Sequence, residues 1–426
     1  MTGSRQASRA VPSRPRLALS FLECCCFSRG RSGRTIPGVT DHFATADAGP
    51  AEPPGAEEAD KKPIRAAWVA GASALEDLAP TIQPLAISLI DELVELHVFC
   101  PSGSDVRALP SPPVEIIHHG RIRRWAFGGG VVAQIASEIQ ARRIQLLHAL
   151  DVSSAGLTSR LAAAAGVDYV VGSYAIGDGK RLGRLDRRAR AVLAASERIQ
   201  EDLMANRVIS ADRAHLLRPG VVRVSRPTCF DRPENSLAIV VGGAMDELAC
   251  FSAVLEAFAE LKARRYDCVC FIIGQGKAER RLRARAESLG VARELTFVGR
   301  QPPWQLTGIL KAADLYISPA PDETVDFQSL LAMAAGVPVL SVENPASDFL
   351  RDGRTTWQFK RGDASGLTTK LASLLEDHAA AKGLAQNALD YLGRHHGTAE
   401  VSSKTAEIYR RAIAEAAAEK KEKQKA

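Results

Sequence analysis

Short apolar runs, each stopped by Gly or Pro, alternate with segments that are apolar at helical spacing, and the alternation happens twice in succession. In the first series residues 66–69, 96–100, 114–117, 146–150, 169–174 and 191–195 read as strands. Helices are predicted between them, over residues 85–94, 128–144, 157–165 and 196–205. In the second series strands are predicted at residues 237–241, 268–273, 295–298, 315–318 and 337–342. Helices are predicted at 251–261, 277–289, 306–312, 326–335 and 364–375. Strand–helix–strand repetition builds parallel sheets with helices on both faces. Two such series in 426 residues imply two doubly wound α/β domains with separate cores.

The segmentation is 1–62, 63–225, 226–395 and 396–426. Residues 1–62 are Arg-rich and then rich in Pro, Ala and acids, a composition that buries too little to form a packed domain. The pairs Arg226-Pro227 and Arg232-Pro233 mark the linker, and residues 398–418 read as a last helix before a charged tail. No apolar run approaches the ~20 residues of a membrane span. Cys100, Cys268 and Cys270 fall in strand-like runs, and no Cys or His pair has zinc spacing. This usage fits a reducing, cytoplasmic setting with no metal. The charge of +6 is mild.

In open α/β sheets ligands bind beyond the carboxyl ends of the strands, where glycine turns and helix N-termini receive anions. Three turns of the second domain qualify: Gly242–Gly243, Gly274-Gln275-Gly276, and Pro319 to Glu323. Lys277 and Arg300 follow strand ends and could supply positive charge, whereas Asp326 adds a carboxylate.

The run from Ala312 to Pro319, then Glu323, then Ala332-Met-Ala-Ala-Gly-Val-Pro-Val339, resembles the signature region of family four (group 1) glycosyltransferases. Supporting resemblance spans residues 64–415, including Arg218-Pro-Gly-Val221 at the exit from the first domain. The resemblance implies a GT-B fold, two Rossmann-like domains facing a cleft. It implies a nucleotide-diphosphate-sugar donor on the C-terminal domain, an acceptor on the N-terminal domain, transfer with retention of configuration and no cofactor. It assigns Glu323 and His148 to catalysis. The donor would be met by Gly242, Gly243, Gly274, Gly276, Lys277, Arg300, Pro319 and Asp326.

The chain also departs from that pattern. The family's second glutamate, with seven residues between it and the first, falls at Leu331. Its Arg and Lys for the diphosphate fall at Ala244 and Ala249, and the second position of its His-x-His motif is Leu150. Cations normally stabilise the leaving diphosphate. A second reading is therefore a catalytically degenerate GT-B protein acting as a binding or partner module, and a third is a GT-B epimerase. Two basic stretches, Arg121 to Arg124 before Trp125 and Lys180 to Arg190, are either solvated faces or contacts for a lipid-linked or membrane-surface acceptor. The latter would place the protein peripherally at the inner membrane surface. Aromatic residues, at 5%, are too few for nucleic-acid stacking.

Overall fold

The computed structural model describes residues 62–120, 129–232, 236–319 and 323–425. The predicted extension over residues 1–61, the basic stretch at 121–124 with Trp125, and residues 320–322 of the third turn lie outside the described residues.

The first domain is a seven-stranded parallel sheet. Its strands are β1 (Ile64–Val69), β2 (Val94–Pro101), β3 (Glu115–His119), β4 (Leu146–Ala149), β5 (Asp168–Ser173), β6 (Ala189–Ala194) and β7 (Ala214–Leu216), in the order β3-β2-β1-β4-β5-β6-β7. The second is a six-stranded parallel sheet of β8 (Leu237–Gly242), β9 (Cys268–Ile273), β10 (Leu295–Gly299), β11 (Leu315–Ser318), β12 (Val339–Ser341) and β13 (Trp357–Gln358), in the order β10-β9-β8-β11-β12-β13. In both sheets the order reverses beside the first strand, between β1 and β4 and between β8 and β11. These are the switch points at which doubly wound sheets open a crevice. The central strands are buried on both faces, so they read as continuous apolar runs and not as alternating ones.

Side-chain carboxylates and hydroxyls start the helices where the sequence turns from strand to helix. Asp151 accepts from Ser154 N at 3.1 Å, Ser196 from Ile199 N at 3.4 Å, and Asp326 from Ser329 N at 2.9 Å. Each satisfies an amide that the helix itself leaves without a partner. Asp314 pins the linker to the second sheet by accepting from Phe230 N at 2.7 Å and Ala238 N at 2.9 Å.

The chain crosses between domains twice, and the crossings lie side by side. Val221 forms a parallel bridge with Gly397, and its amide donates to His396 O at 3.0 Å. Arg218 joins Asp348 at 2.8 Å and Glu197 at 2.7 Å, tying both domains to this junction. Helix His378–His395 precedes the return, and helix Thr398–Lys425 then packs on the first domain. Trp68 and Leu89 share one apolar cluster with Val401, Tyr409 and Ala412. This helix runs on to Lys425, beyond the predicted end near residue 418. Buried Arg190 holds Glu419, and Lys420 donates to Gly166 O at 2.9 Å.

Candidate active site

The carboxyl ends of the two sheets face each other across a cleft of about 1110 Å³. The first domain contributes residues 73–80 after β1, Asp151 to Ser153 after β4, and Tyr174 and Ala175 after β5. The second contributes the turns after β8, β9, β10 and β11. The walls are thus strand-end loops and the first turns of the helices that follow them, as the doubly wound topology requires.

Among the described residues the lining carries Glu76, Asp77, Asp105, Asp151, Asp178, Asp246, Glu247 and Asp326 against Arg107, Arg181 and Arg300. All three arginines are paired. Arg300 reaches across the cleft to Asp77 at 2.6 Å and Glu76 at 3.4 Å. Arg107 pairs with Asp105 at 2.6 Å and lies 4.6 Å from the ring centre of Trp304 on the opposite domain. Arg181 pairs with Asp178 at 3.0 Å. Several carboxylates are held by backbone amides: Asp178 accepts from Tyr174 N and Ala175 N, and Asp246 from Lys277 N.

The residues expected at the site divide into two groups. Gly243, Gly274, Arg300 and Asp326 line the cleft. Gly242, Gly276, Lys277, Pro319, Glu323 and His148 are not on its wall. Lys277 is exposed, and its amide, not its ammonium group, makes the contact to Asp246. Pro319 is buried at the end of β11. Glu323 is exposed where the domains meet, and its carbonyl accepts from Ile176 N at 2.7 Å. With Val325 N donating to Tyr174 O at 2.9 Å and an antiparallel bridge from Ala175 to Thr324, this segment stitches the third turn to the end of β5.

His148 is a core residue. All of β4 is buried, and this imidazole points at the last helix, where Tyr409 Oη lies 2.6 Å from Nδ1. Burial pushes its pKa down to about 3, so the ring is neutral.

The glycine turns pack chiefly against each other. A Cβ on Gly274, at φ +143°, would lie 2.0 Å from the carbonyl oxygen of Gly243, and one on Gly242 would lie 2.1 Å from Tyr316 Oη. Their amides are occupied too: Gly243 N donates to Ile273 O and Gly274 N to Gly299 O. Asp326 sits at the start of helix Phe327–Ala334, where its carboxylate takes Ser329 N and the Ser318 and Ser329 hydroxyls. A protein carboxylate therefore fills the helix N-terminus that would otherwise attract an anion.

Ala244 and Leu331 both line the cleft. The positions that the resemblance gives to a cation and to a ribose-binding glutamate thus face the cavity with apolar side chains. Sequence reasoning missed Gln275, Trp304, Gln328 and Asn344 on the same wall. Gln275 occupies the middle of a turn read only for its glycines. Trp304, 39% exposed, lies on the cavity wall at the start of helix Pro303–Lys311 with Arg107 over its ring, and a lone aromatic after two prolines was the available signal.

The sequence profile of the family described as "Glycosyl transferases group 1" matches residues 231–390. The chain is 25% identical over 181 residues to the lipopolysaccharide core biosynthesis glycosyltransferase LpsE of Rhizobium meliloti (strain 1021), a match covering 42% of this chain and 47% of that protein. It is 27% identical over 210 residues to the sulfoquinovosyl transferase SQD2 of Arabidopsis thaliana, covering 45% and 39%. The chain spans less than half the length of these curated relatives. Among solved structures, Anabaena Alr3699/HepE in complex with UDP and glucose superposes with a TM-score of 0.66 at 15% identity, covering 82% of this chain and 99% of that one. Sucrose-phosphate synthase from Thermosynechococcus elongatus superposes at 0.64 and 16%, covering 82% and 99%. Those likenesses concern the fold, which they share across both domains. The chain therefore has the two-domain GT-B fold, and its residues 231–390 match the glycosyl transferases group 1 profile.

Proposed function

We propose that this chain is a glycosyltransferase that moves a sugar from a nucleotide-diphosphate donor to an acceptor held by the first domain, with retention of configuration. The observation that carries the reading is the position of the cleft. About 1110 Å³ of space lies between the switch points of two parallel sheets, with the segment that matches the group 1 profile forming one wall. That volume suits a ligand the size of a nucleotide sugar.

In this reading Trp304 offers a stacking face and Gln275 an amide for orienting the donor. Arg300 is the cation on the donor side that can meet a diphosphate, by turning away from Asp77. Glu323, at the rim, would reach the donor sugar only if its segment separates from Tyr174 and Ile176, so domain opening belongs to the cycle. His148 takes no part. Among the described residues no helix is long and apolar enough to cross a membrane, so a lipid-linked acceptor would be met from the membrane surface.

Isothermal titration of the full chain with UDP, GDP and ADP tests the donor reading. Saturable binding of one of the three is expected, and heat-free titrations with all of them would end it. A second reading, a GT-B module that binds without transferring, is favoured by Ala244 and Leu331 on the cleft wall and by the pairing of every cleft arginine. The two part on turnover: release of free nucleotide from a bound nucleotide sugar, abolished in Glu323→Gln, belongs to the enzyme alone.

A further inference from the structure

A second recess, of about 930 Å³, opens at the opposite end of the first domain. It lies where chain enters β6 and β7, at the ends of these strands away from the cleft, and its residue Arg184 follows Arg181 of the cleft by three positions. Arg184, Arg187, Arg207 and Arg213 line it, against one lining carboxylate, Asp186.

The state of these groups reverses that of the cleft. None of the four guanidinium groups is hydrogen-bonded to a carboxylate among the described residues. Arg213 feels Asp212 and Glu419 only at a distance, and Glu419 is already held by Arg190. Asp186 is spoken for: it accepts from Tyr169 Oη at 3.0 Å, from Arg188 N at 2.7 Å and from the Ser159 hydroxyl. Burial pushes its carboxyl up, and these hydrogen bonds outweigh that and keep it ionised. The neighbouring basic side chains Arg188 and Arg190 are spent on Asp168. The recess therefore concentrates unneutralised guanidinium in a concave site. Met204, 39% exposed, and Ile209 add apolar surface to its wall.

Guanidinium forks match phosphate oxygens two at a time, and several around one cavity favour a ligand of more than one negative charge. We propose that this recess is a binding site for a phosphate-bearing ligand, either the headgroup of an anionic phospholipid or a soluble phosphate. It stands independently of the donor reading, because no residue is shared with the cleft.

The experiment uses the full chain and a variant combining Arg184→Glu, Arg187→Glu and Arg213→Glu, which keeps Arg207 with its left-handed backbone. Co-sedimentation with phosphatidylcholine vesicles containing phosphatidylglycerol is compared with titration of pyrophosphate. A vesicle affinity about tenfold or more weaker in the variant assigns the site to lipid headgroups. A weaker pyrophosphate affinity with unchanged vesicle binding assigns it to soluble phosphate. The milder set Arg184→Gln with Arg187→Gln repeats both arms should the reversal variant not fold. The amino-terminal arginines are the same in every protein compared. Vesicle and pyrophosphate affinities that ignore both sets of substitutions would overturn the proposal.

Discussion

The hydroxyl of Tyr409, near the end of the chain, accepts the indole N–H of Trp68 at 3.0 Å and lies 2.6 Å from Nδ1 of His148. One side chain of the last helix thus satisfies a buried group on each of the two central strands of the first sheet.

Tyr409→Phe removes that hydroxyl and strands both partners. Each buried polar group left without a hydrogen bond costs about 1–3 kcal/mol. The expected loss is about 2–4 kcal/mol in urea unfolding, with Trp68 fluorescence as one probe. Nucleotide binding at the cleft should not change.

Acid should weaken the fold through two histidines. Burial depresses His148 to about 3 and His396 to about 4; His396 is locked at the domain crossing, where its Nδ1 lies 2.8 Å from Pro219 O. Unfolded histidine takes up its proton near pH 6.5. Below that pH the unfolded state binds protons that the folded state refuses, so stability is fully present above about 6.5 and falls toward pH 4. The slope is roughly 1.4 kcal/mol per pH unit for each histidine. Urea midpoints at pH 7 and pH 5 measure it, and equal midpoints would contradict the assignment.

Gly274→Ala and Gly242→Ala should each destabilise by about 2–4 kcal/mol, because the added carbon meets a backbone carbonyl in one case and a buried phenol in the other. Gly353→Ala is the control. It has φ +67° and nothing within 4 Å of the added carbon, so it should cost only about 1–2 kcal/mol of backbone strain. If all three variants melted alike, the close packing of the two turns would not be what fixes these glycines.

The Arg300–Asp77 pair should govern donor binding with opposite signs on its two members. Both side chains are about half exposed, so breaking the pair should change stability by under about 1 kcal/mol. Asp77→Asn combined with Glu76→Gln releases the guanidinium from both carboxylates and should tighten binding of a nucleoside diphosphate, whereas Arg300→Ala should weaken it by about tenfold or more. Calorimetric titration of the two variants side by side checks both directions.

The domain architecture was legible because buried parallel strands are continuous apolar runs bounded by Gly and Pro, a pattern seen at residues 237–243 and 268–276 alike. Strand β13, two residues long, and helix Asp178–Leu182 are too short to show a period, and both went unread. The site was less legible. Ala244 and Leu331 could be placed by resemblance, and they do face the cleft. The pairing of Arg300 with Asp77 spans 223 positions and leaves no local trace. Glycine turns are ambiguous in sequence, since close approach of a ligand and close approach of another backbone demand the same residue. His148 shows the same ambiguity: a polar residue in an apolar strand is compatible with a cleft or with a buried partner, and its partner lies 261 residues away.

The position of the last helix has a consequence for synthesis. The sheet that is made first needs a helix that is made after the whole second domain, so until residues 398–412 have left the ribosome one face of β4, β5 and β6 stays uncovered and the Trp68 indole lacks its Tyr409 partner. The first domain therefore cannot reach its final form before that helix has been made. A stop codon anywhere before Tyr409 would spoil the amino-terminal lobe and not merely trim the carboxyl-terminal one.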